Sequence, residues 1–269
     1  MKIEIRDLRF TYPTGLEAIS GISLTIETGE QVAIVGQNGA GKTTLVRHFN
    51  GLLQPTSGSV LIGDWDTKKK SVAKLASRVG YVFQNPDEQL FSKNVVTEVT
   101  FGPRNLGYPK DKVDELVKHA LSLTQLSDKT ETNPYDLSPT WRKMVALASV
   151  VAMDTPIVIF DEPTTGQDAL NVARIADVIS ELRKLGRTVI TITHDIDFCA
   201  ENFERVIALA QGRVLLDGTT NEVFGQEEVL AQTYVDPPQL TRLGKRLGLK
   251  GVVRNQEEFL NAYRADYRE

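Results

Sequence analysis

With 269 residues, the chain is long enough to bury a full core, either as one large domain or as one domain with subdomains. Its formal net charge of −4 argues against nucleic acid as the main partner. Its one cysteine, Cys199, excludes an intramolecular disulfide and a cysteine cage for a metal, which fits a reducing cytoplasm. No signal-peptide pattern opens the chain, and its longest uncharged apolar run, residues 144–153, is too short to span a bilayer. We therefore expect any work at a membrane to go through a partner.

The first 30 residues are predicted to form β structure. Apolar and polar residues alternate around Ile3 and Ile5, and again from Ile22 to Ile26, with the period of half-buried strands. An unbroken apolar run, Val32–Val35, then indicates a buried strand that ends at a glycine.

A glycine-rich loop follows this strand and leads into a helical pattern. Glycines let the backbone turn its N–H groups inward, and a helix N-terminus adds partial positive charge, so this context is typical of a phosphate-binding loop. Lys42 can reach terminal phosphates, and the Thr43 hydroxyl can hold Mg²⁺. An ordinary turn between strand and helix is the alternative. We predict a nucleoside triphosphate site that includes Gly36, Asn38, Gly39, Ala40, Gly41, Lys42, Thr43 and Thr44.

The middle of the chain changes in character at about residue 85. Up to about residue 150 the pattern is mostly helical, with one apolar stripe running from Val113 to Leu121. Several prolines and glycines punctuate it. We interpret it as a helical subdomain inserted into an α/β core.

Two carboxylates end the next buried strand. Asp161 and Glu162 directly follow the apolar run Ile157–Phe160. Since ligands in open α/β sheets lie at the carboxyl ends of strands, Asp161 can hold Mg²⁺ and Glu162 can orient and deprotonate an attacking water. An acidic cap before a helix is the alternative for this pair. His194 ends the following strand at the same edge and is predicted to contact the γ-phosphate, although a structural histidine is the simpler interpretation of that residue alone.

Taken together, these motifs over residues 1–225 resemble the nucleotide-binding subunit of an ABC transporter. The resemblance implies that Tyr12 stacks on adenine and that Gln84 joins the metal site to the helical subdomain, as a metal ligand and a catalytic residue. It also implies that Asp168 reports to a partner subunit across the nucleotide. Two alternatives remain open, namely that Tyr12 packs on the sheet and that Gln84 is only a polar strand end.

A narrower resemblance concerns two loops. Residues 83–89 (FQNPDEQ) and 101–107 (FGPRNLG) are similar to the ATPases of energy-coupling-factor transporters, which import cobalt and vitamins. The tail, residues 226–269, has a Pro-Pro break and two short helical patterns with leucines from Leu240 to Leu249. We expect it to be a dimer contact rather than part of the ATP site.

One segment departs from the family pattern. Where the family has Leu-Ser-Gly-Gly-Gln, this chain has Leu137-Ser138-Pro139-Thr140-Trp141. In the family this segment closes over the ATP held by the opposite subunit, so Ser138 is still expected to bind that nucleotide. Ser138 suits a helix N-cap and Pro139 the first helical position, but the proline removes one N–H donor, and Thr140 and Trp141 add bulk where the family keeps the backbone close. Whether this segment still supports catalysis stays open at this point.

The predicted fold is therefore α/β, a P-loop NTPase core of mainly parallel strands with an N-terminal antiparallel β subdomain and an inserted helical subdomain. The resemblance implies an ATPase that uses ATP and Mg²⁺ to energise a membrane transporter from the cytoplasmic face of the membrane, as a peripheral subunit. Its expected partners are transmembrane subunits and a second ATPase subunit, and we favour a heterodimer. The alternatives are a soluble ABC ATPase outside transport and a nucleotide-binding regulator that does not hydrolyse ATP.

Overall fold

The computed structural model describes residues 1–267. It has two sheets, whose strands are β1 (Ile3–Thr11), β2 (Glu17–Ile26), β3 (Gln31–Val35), β4 (Ser57–Ile62), β5 (Trp65–Asp66), β6 (Val79–Val82), β7 (Ile157–Asp161), β8 (Thr188–Ile192), β9 (Arg205–Ala210) and β10 (Arg213–Thr219). The α-helices are α1 (Lys42–Arg47), α2 (Val72–Leu75), α3 (Val95–Asn105), α4 (Lys110–Leu123), α5 (Pro139–Val151), α6 (Ala169–Lys184), α7 (Ile196–Asn202), α8 (Thr220–Gly225), α9 (Glu227–Leu230), α10 (Gln239–Arg246) and α11 (Gln256–Tyr267).

The first sheet is antiparallel and has the order β2-β1-β4-β5. The second has the order β10-β9-β3-β8-β7-β6, and its strands from β9 to β6 pair in parallel. Every residue of β3, β6, β7 and β8 is buried, as expected for strands covered on both faces. The predicted α/β core with an N-terminal antiparallel part is confirmed.

The predicted helical region is also present. Helices α3, α4 and α5 lie between β6 and β7, which are neighbours in the sheet, so this region is an excursion from the core. The three helices pack on one another and share a hydrophobic cluster with the parallel sheet. From α5 the chain returns to β7, the strand that ends at Asp161.

The sheet order brings four loops to one edge. The loops that follow β3, β8, β7 and β6 leave the carboxyl ends of adjacent parallel strands, and each was predicted to carry a site residue. Residues separated by more than a hundred positions in sequence therefore meet at this edge.

The tail is closer to this edge than the sequence indicated. The predicted boundary between residues 225 and 226 falls between α8 and α9, but Thr233 lies against the glycine-rich loop, where its carbonyl accepts a hydrogen bond from the Gln37 N–H at 3.1 Å. Whether the tail is a separate unit stays a prediction. Across residues 1–267, every helix falls short of the length and apolar character that crossing a membrane requires.

Candidate functional site

The loop from Gly36 to Gly41 depends on its glycines at two positions. Gly36, with φ of 147°, and Gly41, with φ of 101°, adopt backbone conformations that side chains disfavour. A Cβ on Gly36 would lie 2.3 Å from the Leu209 carbonyl oxygen, and one on Gly41 would lie 2.7 Å from that of Ala18. These glycines let the loop pass close to the strand ends before α1 begins at Lys42.

Lys42 folds back over this loop. Its Nζ donates hydrogen bonds to the carbonyls of Gly36 at 2.6 Å and Gln37 at 3.1 Å. Burial lowers the pKa of Lys42, while the nearby carboxylates of Glu162 and Asp161 act in the opposite direction. The ammonium is therefore held inside the loop that was predicted to surround phosphate.

Thr43 and Asp161 meet although 118 positions separate them. The Thr43 hydroxyl donates to Asp161 Oδ1 at 3.2 Å, and the other carboxylate oxygen accepts a hydrogen bond from the Tyr81 hydroxyl at 2.6 Å. Both oxygens of this buried carboxylate thus have a partner. Because hydroxyl and carboxylate oxygens are ligands that Mg²⁺ prefers, the donor set fits that ion.

Glu162 and His194 form a second pair at the same edge. His194 donates a hydrogen bond from Nδ1 to Glu162 Oε2 at 2.8 Å. The His194 side chain is 64% exposed, so its other ring nitrogen, Nε2, is open to a ligand. Glu162 is buried and has a φ of 50°, which is unfavourable for a residue with a side chain. Its backbone N–H donates to the Ile192 carbonyl at 2.8 Å, which helps to hold this turn.

Tyr12 reaches the site from the antiparallel sheet. Its hydroxyl lies 2.9 Å from Thr44 Oγ1, and its ring meets Phe10 edge to face. Tyr12 is half-buried, so it both packs on the sheet and presents a surface to the site. It lines a cavity of about 220 Å³ together with Leu16, Ala18, Asn38, Gly39, Gly41, Lys42, Thr43, Thr44, Gln84 and Glu162.

A second cavity, of about 460 Å³, adjoins the same loop. Its walls are Gly36, Gln37 and Asn38, the turn from His194 to Asp197, and tail residues between Tyr234 and Arg242. Ala40 is buried and lines neither cavity; its backbone N–H and carbonyl are bonded to Gln37 and Gly212. Two predicted site residues, Gly36 and His194, thus face this second cavity rather than the first.

Four predicted site residues line neither cavity, namely Ala40, Asp161, Ser138 and Asp168, and the last two lie at helix N-termini. Ser138 caps α5, where its Oγ accepts a hydrogen bond from the Trp141 N–H at 3.4 Å, and Asp168 caps α6 by accepting from the Asn171 N–H at 2.9 Å. Both are exposed at helix N-termini. Within this one chain, neither is brought together with the glycine-rich loop.

The Trp141 side chain was expected to add bulk at the exposed start of α5, but it lies elsewhere. Its ring is half-buried against the hydrophobic cluster of the helical region. Lys129 Nζ lies 4.8 Å from the ring centroid and Arg174 Cζ lies 5.2 Å from it, both within cation–π range. The side chain therefore packs against two cations and the hydrophobic cluster, and less of it covers the N-terminus of α5 than we expected.

Sequence reasoning missed two residues, Tyr81 and Lys143, that hydrogen-bond to predicted site residues. Tyr81 stood in an apolar strand, where nothing signalled that it would bond to Asp161. Lys143 stood among polar residues after Trp141, yet its Nζ donates to the carbonyls of Phe83, Gln84 and Glu162. Burial lowers the pKa of Lys143 to about 8, against the effect of the nearby carboxylates of Asp161 and Glu162.

The sequence matches the family described as ABC transporter over residues 19–165. It is 41% identical over 251 residues to the energy-coupling factor transporter ATP-binding protein EcfA of Methanothermobacter thermautotrophicus, covering 93% of this chain and 81% of that one. EcfA of Methanocaldococcus jannaschii is 39% identical over 250 residues, which cover 92% of this chain and 90% of the relative. A relative from Methanosarcina acetivorans is 42% identical over 248 residues, but this chain spans only 40% of its length.

Two solved structures share the fold. Clostridium perfringens cbiO1, part of the ABC transporter complex cbiONQ, is 37% identical, has a TM-score of 0.76 and covers 92% of this chain and 98% of its own. A dimeric ATP-binding cassette in a post-hydrolysis state bound to ADP and Pi is 26% identical, has a TM-score of 0.74 and covers 81% of this chain and 98% of its own.

Proposed function

This chain belongs to the ABC transporter family of ATPases, and from that premise we propose that it is the ATP-binding and ATP-hydrolysing subunit of an importer of the energy-coupling-factor type. The proposed cargo is a vitamin or a transition-metal ion. The observation that carries the proposal is the meeting of Thr43, Asp161, Glu162 and His194 around one glycine-rich loop.

Binding of ATP is assigned to the loop and Lys42. The loop N–H groups and the start of α1 favour negative charge, and Lys42 is held within 3.1 Å of two loop carbonyls that compete with phosphate for its ammonium. Tyr12 is assigned to adenine, since this residue lines the same cavity as Lys42. A terminal phosphate that displaces one loop carbonyl would gain a charge-assisted hydrogen bond from Lys42.

Hydrolysis is assigned to Glu162, which would orient water and accept its proton. His194 restrains one carboxylate oxygen through Nδ1 and keeps Nε2 available for a phosphate oxygen. Gln84 lines the same cavity from the end of β6. This arrangement argues against the alternative of a regulator that does not hydrolyse ATP.

Mg²⁺ fits the oxygens of Thr43 and Asp161. Within residues 1–267, no group of three or more His, Cys, Asp and Glu side chains is placed to hold a metal ion. That agrees with Mg²⁺, which proteins bind through one or two side chains together with substrate phosphates. When bound, the ion would neutralise charge on the phosphates, while Tyr81 keeps Asp161 in place and Gln84 approaches from the neighbouring strand end.

A transmembrane subunit is the proposed partner at the surface of the helical region. Phe91 and Phe101 are exposed there and meet edge to face, 4.7 Å between ring centroids. Next to them is a cavity of about 360 Å³ lined by Val96, Thr97, Thr100, Phe101, Arg104 and Asn105. An apolar helix segment from a membrane subunit would cover these rings. On this basis we place the chain at the cytoplasmic face of the membrane, as a peripheral subunit.

A second ATPase subunit is the proposed partner at the nucleotide. Ser138 and Asp168 are exposed at helix N-termini and contact neither cavity of their own chain, so they are free to serve a nucleotide held by another subunit. A dimeric cassette among the solved structures with this fold supports such an arrangement. We favour a heterodimer, because this chain has Pro139, Thr140 and Trp141 in the segment that would face the partner's nucleotide.

The test is reconstitution of the chain with its membrane subunits in lipid vesicles. We expect ATP-dependent uptake of cobalt, nickel or a vitamin, measured with each labelled compound in turn, and no uptake with Glu162→Gln. ATP hydrolysis without association with any membrane subunit would instead favour a soluble ABC ATPase. Lack of ATP hydrolysis by the assembled complex would overturn the proposal.

A further inference from the structure

Lys143 is the only lysine besides Lys42 that is buried in residues 1–267, with 2% of its surface exposed. It lies on α5, five residues after the cap Ser138. Its neighbour Arg142 instead makes an ion pair near the surface with Asp87, at 3.0 Å. Because burying an ammonium is costly unless its hydrogens are bonded, the contacts of Lys143 indicate what it does.

The Lys143 ammonium donates hydrogen bonds to three backbone carbonyls. Nζ lies 3.4 Å from the carbonyl oxygen of Phe83, 3.4 Å from that of Glu162 and closer still to that of Gln84. An ammonium has three donors and no acceptor, so this set uses its whole bonding capacity. One side chain on α5 thus ties the chain at the end of β6 to the turn after β7.

Both tied segments need such support. Glu162 has a φ of 50°, and its backbone is fixed from one side by the Ile192 carbonyl and from the other by Lys143. An unfavourable backbone conformation persists only where surrounding groups hold it. The chain at Phe83 and Gln84 leaves the sheet at the end of β6, where the Phe83 N–H also donates to Gln89 Oε1 at 3.1 Å.

We propose that Lys143 is a positioning residue for ATP hydrolysis, whose ammonium holds the backbone of Gln84 and Glu162 so that their side chains face the nucleotide together. This rests on the proposed function. Lys143 itself does not line the nucleotide cavity, whereas Gln84 and Glu162 both do. Its removal should therefore slow the chemical step more than it weakens ATP binding.

The test compares Lys143→Met, which keeps length but loses every donor, with Lys143→Arg, which keeps charge and donors. In the assembled complex we expect Lys143→Met to lower kcat by about 10- to 100-fold, since small displacements of reacting groups have effects of that size. The Kd for ATP, measured by titration with a fluorescent ATP analogue, should change far less, and Lys143→Arg should recover part of kcat.

Arg142→Met is the matched control on the same helix. It should stay within about fivefold of the unmodified rate, because ion pairs near the surface contribute little. If Lys143→Met does not fold, Lys143→Gln, which keeps two donors, replaces it in the same comparison.

A kcat for Lys143→Met equal to that of the unmodified protein would overturn the inference. So would equal losses of kcat and ATP affinity that Lys143→Arg does not reverse, which would indicate general structural damage. Failure of the proposed function is seen separately, since the unmodified complex would then not hydrolyse ATP at all.

Discussion

His194 Nδ1 lies 2.8 Å from Glu162 Oε2, and this contact joins the turns that follow two adjacent parallel strands. It fixes the carboxylate and the ring relative to each other. Since a carboxylate accepts only, the proton of this bond belongs to the histidine, and the remaining lone pairs of Glu162 are available to water. This geometry supports the proposal that Glu162 accepts the proton and that His194 orients it.

Glu162→Gln should bind ATP and fail to turn it over. The amide keeps the shape of the side chain but cannot accept a proton, and loss of a general base typically lowers rates by about 10²- to 10⁴-fold. Steady-state hydrolysis and ATP titration on the assembled complex measure the two effects. Glu115→Gln, at an exposed position of α4, is the control and should change neither. Hydrolysis by Glu162→Gln at the unmodified rate would exclude Glu162 as the base.

Lys42→Ala should strongly weaken productive ATP binding. Hydrogen bonds to charged groups contribute about 1.5–3 kcal/mol, so the Kd for ATP should rise by about 10- to 150-fold. The folded chain should tolerate the change, since the buried ammonium is itself destabilised by burial, as its lowered pKa indicates. Titration with ATP and a melting curve separate the two outcomes. An unchanged Kd would show that Lys42 stays bonded to its own loop when ATP is present.

Stability should fall in acid because of His48. This side chain is fully buried on the turn after α1, Nδ1 lies 2.7 Å from the Thr44 carbonyl, and Nε2 has no hydrogen-bond partner within the described residues. Burial lowers the pKa of His48 below its usual 6.5. Below pH 6.5 the unfolded chain therefore takes up a proton that the folded chain does not, and stability decreases as pH falls, by at most about 1.4 kcal/mol per pH unit.

The measurement for His48 is the free energy of unfolding at pH 7.5 and at pH 5. His48→Leu should lose less stability across this interval than the unmodified chain does. His119→Leu, at an exposed position of α4, should keep the full pH dependence. Equal pH slopes in all three proteins would mean that His48 does not contribute.

The local patterns of the sequence were enough to predict the architecture. Alternating and unbroken apolar runs located the strands around β3 and β7, and glycine spacing located the glycine-rich loop, because these signals depend on neighbours in sequence. Tyr81 and Lys143 could not be found in this way. Their partners lie 80 positions away for Tyr81, and 60, 59 and 19 positions away for Lys143. The parallel pairing of β6 with β7 brings Tyr81 to Asp161, and the packing of α5 on β6 brings Lys143 to its carbonyls.

The tail illustrates the same limit. Its helical patterns and leucines were visible, and α10 and α11 are present. Its contact with the glycine-rich loop is a backbone hydrogen bond from Gln37 to Thr233, which cannot be predicted from a side-chain pattern. Gln239 and Arg242 of α10 also line the cavity next to this loop, so the prediction that the tail lies apart from the ATP site can apply only to residues after Arg242.

Removal of α10 and α11 should weaken dimerisation and leave ATP binding nearly unchanged. A chain that ends at residue 238 loses the exposed Leu243 and Leu260 but keeps the Thr233 carbonyl. A chain that ends at residue 230 also loses that carbonyl, which leaves the Gln37 N–H without its acceptor at a cost of about 1–3 kcal/mol. Only the shorter chain should then show weaker ATP binding.

Sedimentation and ATP titration on both truncated chains test this. If the chain ending at 238 dimerises normally, the tail is not a dimer contact. If the chain ending at 238 loses as much ATP affinity as the chain ending at 230, then ATP binding depends on α10 rather than on the Thr233 carbonyl.

The last prediction concerns asymmetry between two ATP sites. In the proposed function this chain would provide Lys42, Asp161 and Glu162 to its own nucleotide. The segment that it would offer to a partner's nucleotide contains Pro139, which has no N–H. A heterodimer with an unaltered partner would therefore have one intact site on this chain and one weakened site on the partner. Hydrolysis should be carried mainly by the ATP bound to Lys42 and Glu162.

The experiment is to replace the catalytic glutamate of each subunit separately and to measure turnover by the assembled transporter. We expect Glu162→Gln to remove most activity and the equivalent change in the partner to leave most of it. The difference in activity between the two variants should be smaller than the sequence alone suggests. Trp141 packs against Lys129 and Arg174 and so covers less of the N-terminus of α5. The missing N–H donor at Pro139 is then the main defect of this segment. If Glu162→Gln retains most activity while the partner's change abolishes it, the intact site is the other one. Equal losses from both changes would show that the two sites work together despite Pro139.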